Sequence, residues 1–251
     1  LQPSKCSLMQ RETEFLGHIV TQDGLRAAPE KTSKVKNWPA PRNVSEVRQF
    51  LGLASYYRHF VKGFSALASP LSALTRKNCK FEWTKECQAS FEELKNALVS
   101  PPILARPTDD GLFILDTDAS NFGLGGVLSQ VQKGKERVIA YASKALSASQ
   151  RNYCTTRREL LGVVEMAEHF RNYLLGRKFK LRVDHASLRW LVSFKEPEGM
   201  VARWIERLSE FDYSIEHRKG SAHGNADSLS RCPQCQWAKC PDNNTKGEAK
   251  K

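Results

Sequence analysis

The sequence lacks any apolar run that approaches the roughly 18–20 residues needed to span a membrane, and no charged-then-apolar leader opens it. Its seven cysteines are an odd number scattered along 251 residues, so the sequence does not predict a disulfide framework. A reducing compartment fits this cysteine usage better, and we expect an intracellular protein, cytoplasmic or nuclear. Because the chain begins with Leu1 instead of Met, we also expect it to be a processed product or a piece of something longer.

Acidic residues are in the minority, with 27 Asp and Glu against 39 Lys and Arg, which gives a formal net charge of +12. A charge of this size and sign favours polyanionic partners, and nucleic acid is the first candidate. The alternative is a solvated basic surface that has no such partner. A hydrophobic content of 40% is sufficient for a sizeable core.

Changes in periodicity divide the chain into five predicted segments. Residues 1–28 predict a β-hairpin in which EFLGHIV is a strand and TQDG is the turn. Residues 29–80 predict a basic helical region, in which Asn43 and Glu46 form a capping box before a helix that runs through VSEVRQFLGLASYYRHFV. The other three are a linking segment at 81–108 with a helix capped by Thr84, an α/β domain at 109–231, and a polar, disordered, Cys-containing tail at 232–251.

The α/β assignment follows from the order of the patterns after the turn-rich stretch LARPTDDG. Three successive strands are followed by a long amphipathic helix that begins TTRRELL, with Leu160, Val164 and Ala167 on its apolar face. The strand KFKLRVDH comes next, and further helices and a strand complete the domain. This order predicts an α/β fold with a mixed sheet flanked by helices.

Four carboxylates recur in this domain, each where a strand ends or a helix begins: Asp118, Glu159, Asp184 and Asp227. Each alone has a structural alternative, since Glu159 could complete a capping box with Thr156, and Asp184 and Asp227 could stabilise helix N-termini. Four acids at one edge of a sheet repel one another unless a cation joins them. Carboxylates without a matching set of His or Cys favour Mg²⁺, and such a cluster is typical of two-metal phosphodiester cleavage.

Several stretches of the sequence resemble one known family. DTDASNFGLGGVLSQ, IAYASKALSASQRNY, TTRRELLGVV, FRNYLLGRKFKLRVDHASLRWL and GNADSLSR are similar to the ribonuclease H domain of Ty3/Gypsy retrotransposon reverse transcriptases. Upstream, FLGHIVTQDGL resembles the primer-grip hairpin of the polymerase palm, VSEVRQFLGLASYYRHFV resembles the thumb, and FEWTKECQASFEELKNALVSPPIL resembles the linking segment. The resemblance covers almost the whole chain and implies a ribonuclease H-like fold for residues 109–231.

The resemblance also implies an activity. The family's metal-binding acids fall on Asp118, Glu159, Asp184 and Asp227. With two Mg²⁺ ions, for which Mn²⁺ could substitute, such a site would hydrolyse the RNA strand of an RNA–DNA hybrid and leave a 5′-phosphate and a 3′-hydroxyl.

Two further residues near these acids have weaker assignments. His217 stands ten residues before Asp227, where many related enzymes carry a histidine, and a histidine there can shuttle protons. The alternative for His217 is a surface residue at the end of a strand. Asp116 shares a strand face with Asp118 but does not match the family's catalytic position, so at best it lies behind the metal ligands.

Basic and aromatic side chains are the expected contacts to the hybrid. The candidates are Arg182, Arg189 and Trp190 near the site, and Lys31, Lys34, Lys36, Arg42, Arg48 and Arg58 in the helical region. Tyr56 and Tyr57 could also touch nucleic acid, although tyrosine at helical spacing is more typical of a core.

The Tyr-x-Asp-Asp motif with which reverse transcriptases polymerise is missing, so polymerase activity is not expected from this chain alone. The expected protein partners are the palm and fingers and the integrase of a parent polyprotein. Cys232, Cys235 and Cys240 offer three zinc ligands with no evident fourth. The alternative to a nuclease is a non-catalytic relic that binds nucleic acid, and the complete set of four acids argues against it.

Overall fold

The structure is a computed structural model that describes residues 9–77, 79–183 and 199–217, without the side chains of residues 29–31. Two hydrophobic cores organise these residues, one within the helical region and one beneath a larger sheet. Within these ranges, every helix is too short or too polar to cross a lipid bilayer.

A small antiparallel sheet opens the described part of the chain, in the order β1 (Thr13–Phe15), β2 (His18–Val20) and β3 (Leu25–Ala27). The prediction of EFLGHIV as a single strand is wrong, because Leu16 and Gly17 form a tight turn in its middle. Their φ angles are 49° and 73°, and positive φ at both positions is what a two-residue hairpin turn with the natural strand twist requires. The predicted TQDG turn is confirmed, since the Thr21 amide donates to the Gly24 carbonyl oxygen at 2.8 Å.

The helical region comprises α1 (Pro29–Lys36), α2 (Val44–Tyr56), a 3₁₀ turn (Arg58–Phe60), α3 (Phe64–Leu67), α4 (Ser69–Leu74) and α5 (Lys85–Val99). The predicted helix through VSEVRQFLGLASYYRHFV is shorter than expected, because it ends at Tyr56 and the chain continues as the 3₁₀ turn. The stretch FSALASPLSALTRK divides into α3 and α4. Pro70 has no amide hydrogen to donate, so it is tolerated only in the first turn of a new helix, where α4 has it.

A side-chain cap defines the start of α2. The Asn43 side chain accepts a hydrogen bond from the Glu46 amide at 2.9 Å, as the sequence predicted. The Glu46 carboxylate accepts from the Arg42 amide at 2.7 Å, one residue earlier than in a standard capping box. The two bonds satisfy amides that would otherwise have no partner at the helix start.

Helix α5 completes the core of the helical region. Phe50 of α2 and Phe91 of α5 are fully buried, and their ring centroids are 4.7 Å apart. Thr84 caps α5 as predicted, since its hydroxyl accepts from the Cys87 amide at 3.3 Å. The predicted linking segment therefore shares its core with the helical region, and the five segment boundaries stay predictions.

The larger sheet contains β4 (Phe113–Ala119), β5 (Gly123–Gln132), β6 (Lys135–Ala145), β7 (Phe179–Val183) and β8 (Tyr213–His217). Their order is β6-β5-β4-β7-β8. Strand β5 pairs antiparallel with β4 and β6, whereas β7 pairs parallel with β4 and β8. The predicted mixed sheet is confirmed.

Helices flank this sheet: α6 (Ala148–Arg151), α7 (Thr155–His169), α8 (Arg171–Leu174) and α9 (Gly199–Leu208). The predicted apolar face of α7 is buried against the sheet, with Leu160, Val164 and Ala167 all in its core. The approach is close, because a methyl group at Gly126 of β5 would lie 2.7 Å from the Met166 sulfur. Packing of α7 therefore depends on the absence of a side chain at this position of β5.

The helical region and the larger sheet are joined by backbone hydrogen bonds. Leu104 exchanges two such bonds with Leu25 of β3, at 2.7 and 3.0 Å. The next residue, Ala105, donates to the Val138 carbonyl oxygen of β6 at 2.8 Å. This short segment therefore ties the small sheet to the edge of the larger one.

Histidines lie at the same junction. His59 of the 3₁₀ turn and His169 of α7 line a cleft of about 520 Å³ together with Arg58. Burial lowers the pKa of His59, and the nearby positive charges of His18, Arg58 and His169 lower it further. Burial and Arg58 also lower the pKa of His169, so the folded chain favours neutral imidazoles here.

We expect Asn43→Ala to destabilise the fold by about 1 kcal/mol, because the Glu46 amide loses its acceptor. Asn43→Asp retains an acceptor and should cost less. Urea unfolding of both variants against the wild type measures the difference. Equal losses for Ala and Asp would contradict the role of the cap.

We expect His59→Gln to reduce the acid sensitivity of folding. The unfolded chain titrates near the ordinary histidine pKa of about 6.5, whereas the pKa of folded His59 is lower. Below that ordinary value the unfolded chain therefore binds more protons, and the free energy of unfolding falls as the pH drops. Urea unfolding at about pH 7.5 and about pH 5.5 should show a smaller loss for the variant than for the wild type. The same loss in both proteins would contradict this assignment.

Candidate active site

Two carboxylates lie on β4, the central strand of the larger sheet. Asp116 and Asp118 are 3% and 5% exposed. The alternation of a strand places both on the face opposite to Leu115, which belongs to the core beneath α7. The sequence FILDTDA therefore buries two acids on one face of its strand, as predicted.

Glu159 of α7 is also buried, at 4% exposure. The alternative that Glu159 completes a capping box with Thr156 is wrong, because the helix is capped at Cys154 and Thr156 lies inside it. Gly162, three residues after Glu159 on the same helix face, lies against β4. A methyl group at Gly162 would be 3.8 Å from the Asp118 carbonyl oxygen. Helix α7, which carries Glu159, therefore packs against the backbone of β4 at Asp118.

The chemistry of this pair suits a hard cation. Buried carboxylates are costly unless hydrogen bonds or positive charge offset them, and like charges raise each other's pKa. Asp118 and Glu159 offer oxygen ligands alone, which is the ligand type that Mg²⁺ prefers. The described part of the site therefore fits Mg²⁺.

The other two predicted ligands lie outside the described residues. Strand β7 ends at Val183, directly before Asp184 in the sequence, and Asp227 follows the last described range. Among the described residues, no three His, Cys, Asp or Glu side chains are grouped as a metal site. The complete set of four acids stays a prediction.

His217 is the last residue of β8 and is partly buried. It pairs in register with Val183, the residue before Asp184. His217 and Val183 are thus the last paired positions of these two parallel strands, and the proton-transfer role of His217 stays a prediction.

Arg182 of β7 lies among three carboxylates. Its guanidinium is 2.9 Å from a Glu136 carboxylate oxygen and 3.9 Å from oxygens of both Asp116 and Glu216. Burial alone would lower the pKa of Arg182, but the hydrogen bond to Glu136 and the three negative charges raise it above its ordinary value. The predicted contact of Arg182 with nucleic acid stays a prediction. In this structure its guanidinium contacts carboxylates of three other strands of the sheet.

Sequence reasoning missed Glu136 and Glu216 as partners of this arginine. Strand register brings them together: Arg182 pairs with Asp116 on one side and with Glu216 on the other. Glu136 reaches the guanidinium from β6. Charged residues at alternating positions were a visible signal, but their pairing across strands was not readable without the register.

The predicted nucleic-acid contacts of the helical region are at the surface where they are described. Lys34, Lys36, Arg42, Arg48 and Arg58 are exposed. The Lys31 side chain, Arg189, Trp190 and the three cysteines considered for zinc, Cys232, Cys235 and Cys240, lie outside the described residues.

The two tyrosines next to Arg58 differ in environment. Tyr57 is buried, and its hydroxyl donates to the Gly17 carbonyl oxygen at 3.0 Å, so it belongs to the core. Tyr56 is 47% exposed and stacks on His18 with ring centroids 5.3 Å apart. Of the two, Tyr56 is the one that a nucleic acid could reach.

Residues 83–181 match the family model described as the RNase H-like domain found in reverse transcriptase. The chain is 41% identical over 232 residues to the retrovirus-related Pol polyprotein from transposon 297 of Drosophila melanogaster, covering 92% of this chain and 22% of the relative. It is 35% identical over 236 residues to the transposon Tf2-3 polyprotein of Schizosaccharomyces pombe, covering 92% of this chain and 18% of the relative. The chain thus spans about a fifth of the curated relatives it matches.

Solved structures match the fold. The foamy viral protease-reverse transcriptase in complex with dsDNA has a TM-score of 0.72 and 25% identity, covering 86% of this chain and 47% of that chain. The same viral protein in complex with an RNA/DNA hybrid has a TM-score of 0.73 and 23% identity, covering 99% of this chain and 33% of that chain.

The buried acids on β4 and α7, the mixed sheet and these similarities agree with the resemblance seen in the motifs. The chain therefore belongs to the Ty3/Gypsy-type retrotransposon polyproteins and carries the RNase H-like domain found in reverse transcriptases.

Proposed function

We propose that this chain is a Mg²⁺-dependent ribonuclease H that hydrolyses the RNA strand of RNA–DNA hybrids. The observation that carries the proposal is the burial of Asp118 on the central strand and of Glu159 on α7, the helix that packs against that strand. Two buried carboxylates supply the oxygen ligands that a divalent cation such as Mg²⁺ prefers.

Asp118 and Glu159 would hold the cation together with Asp184 and Asp227, which the family motif adds. Bound Mg²⁺ supplies positive charge that offsets the charge developing on the scissile phosphate. A water oxygen would attack phosphorus and lose a proton, while the bond from phosphorus to the 3′-oxygen would break and that oxygen would gain a proton, so that the products would be a 5′-phosphate and a 3′-hydroxyl. His217, at the end of β8, would pass protons during product release.

The surface of the helical region would bind the hybrid through its phosphates. Lys36 and Arg42 are exposed there, and the net charge of +12 favours a polyanion. A foamy viral relative of the same fold is known in complex with an RNA/DNA hybrid, which supports this choice of substrate. The palm, fingers and integrase of a parent polyprotein are the proposed protein partners, and polymerisation is not expected without the Tyr-x-Asp-Asp motif.

We expect Asp118→Asn to abolish cleavage of a labelled RNA–DNA hybrid while hybrid binding persists, because the variant loses one charged ligand. The assay runs at low salt with Mg²⁺ or with EDTA, and the rate should fall by more than about 100-fold, the upper end of the cost of losing an outer partner of a metal site. Asp110→Asn, at an exposed acid before β4, is the matched control and should cleave like the wild type.

The results distinguish a nuclease from a non-catalytic relic that only binds nucleic acid. Cutting of the RNA strand alone, dependent on Mg²⁺ and lost in Asp118→Asn, supports the nuclease. Tight binding of the hybrid by the wild type without cutting would favour the non-catalytic relic. Full activity in Asp118→Asn would remove this acid from the site.

We expect Lys36→Ala and Arg42→Ala each to weaken binding to RNA–DNA hybrid and to duplex DNA by similar factors, because phosphate contacts carry no sequence information. Each lost contact should reduce the slope of log affinity against log salt by about 1. Lys144→Ala is the control, since its ammonium lies 2.6 Å from Glu165 and its charge is already paired. Fluorescence anisotropy over a salt series measures all three, and an unchanged slope in the first two would contradict the proposed surface.

A further inference from the structure

A network of charged side chains extends across the larger sheet on the face that carries Asp118. Arg182 lies at its centre with only 13% of its side chain exposed. Its three carboxylate neighbours come from three other strands: Asp116 from β4, Glu136 from β6 and Glu216 from β8. One arginine therefore links four of the five strands by charge.

Asp116 is the member of this network nearest to the candidate active site. It precedes Asp118 by two residues on the same strand face, which is a separation of about 7 Å along the strand. A divalent cation held by Asp118 would attract any other carboxylate within reach. Asp116 instead faces the Arg182 guanidinium, its register partner on β7, at 3.9 Å.

The guanidinium is held in place by its other two contacts. Glu136 accepts a hydrogen bond from it at 2.9 Å, and Glu216 lies 3.9 Å away on the opposite side. Lys180, two residues earlier on β7, contacts Glu216 at 3.3 Å and shares the strand face with Arg182. In the described network, Arg182 is the basic residue that approaches Asp116 as well as Glu136 and Glu216.

We propose that Arg182 is a positioning residue that keeps Asp116 out of the ligand set of the divalent cation at Asp118. This inference rests on the proposed metal site. With Arg182 in place, Asp116 faces the guanidinium, and of the two acids of β4 only Asp118 is a ligand of the cation. Without Arg182, Asp116 loses this positive neighbour, and its carboxylate competes for the cation and displaces it from the productive arrangement.

The first test measures cleavage of an RNA–DNA hybrid by the full 251-residue chain. Arg182→Met should lower kcat by about 10- to 100-fold, as loss of a metal site's outer partner does, with KM for the hybrid changed by less than about twofold. Adding Asp116→Asn to Arg182→Met should restore most of kcat, because the competing charge is gone. Lys180→Met is the matched control and should leave kcat within about twofold of the wild type.

Asp116→Asn alone provides a test that does not depend on whether Arg182→Met folds. It should retain wild-type kcat to within about threefold, since Asp116 is not a ligand. If Asp116→Asn loses cleavage as fully as Asp118→Asn, Asp116 is itself a ligand and the proposal is overturned. The proposal is also overturned if Arg182→Met folds but adding Asp116→Asn does not restore its kcat. That result is expected if Arg182 only stabilises the structure.

A second test uses Mg²⁺ alone and requires no activity. The rise in Tm on adding Mg²⁺ should be larger for Arg182→Met than for the wild type, because the ion then supplies the positive charge that Arg182 places beside Asp116. Adding Asp116→Asn to Arg182→Met should bring the rise in Tm back to that of the wild type. Lys180→Met should show the same rise as the wild type. An equal rise in all four proteins would overturn the inference. Absence of hybrid cleavage by the wild type, with the Tm pattern as expected, would instead count against the proposed substrate while leaving the role of Arg182 supported.

Discussion

Close packing of α7 on the larger sheet is the constraint on which the rest of the structure depends. Gly126 leaves room for Met166, and the backbone at Asp118 lies within van der Waals distance of a methyl group placed at Gly162. The apolar face of the helix fills the core at this contact, and the same rotation of the helix about its axis fixes the position of Glu159. The energy that packs α7 and its Glu159 against β4 therefore comes from burial of apolar neighbours, and not from the acids themselves.

Charge on the other face of the sheet is balanced by a different means. Where α7 covers one face with apolar side chains, the opposite face sets Arg182 against Asp116, Glu136 and Glu216. A buried ion pair adds little stability by itself, but breaking one leaves an uncompensated charge.

The helical region is physically continuous with the sheet that carries the site. Leu104 and Ala105 connect β3 to β6 through backbone hydrogen bonds, and the Ser65 amide donates to the Ser143 hydroxyl at 2.8 Å. A basic surface and a candidate nuclease site thus share one scaffold. In the cleft between them, burial and Arg58 lower the pKa values of His59 and His169.

The sequence by itself determined the fold class, the helix caps at Asn43 and Thr84, and the acids that belong to the family motif, because these depend on local patterns of period, capping and residue type. It did not predict the turn at Leu16 and Gly17, since that dipeptide is not one of the usual hairpin signals. Only the tertiary structure decided that Glu159 is buried instead of capping its helix, and that Arg182 faces three acids. Both outcomes depend on strand register and helix packing, which are set by contacts between residues far apart in the chain and leave no local signature.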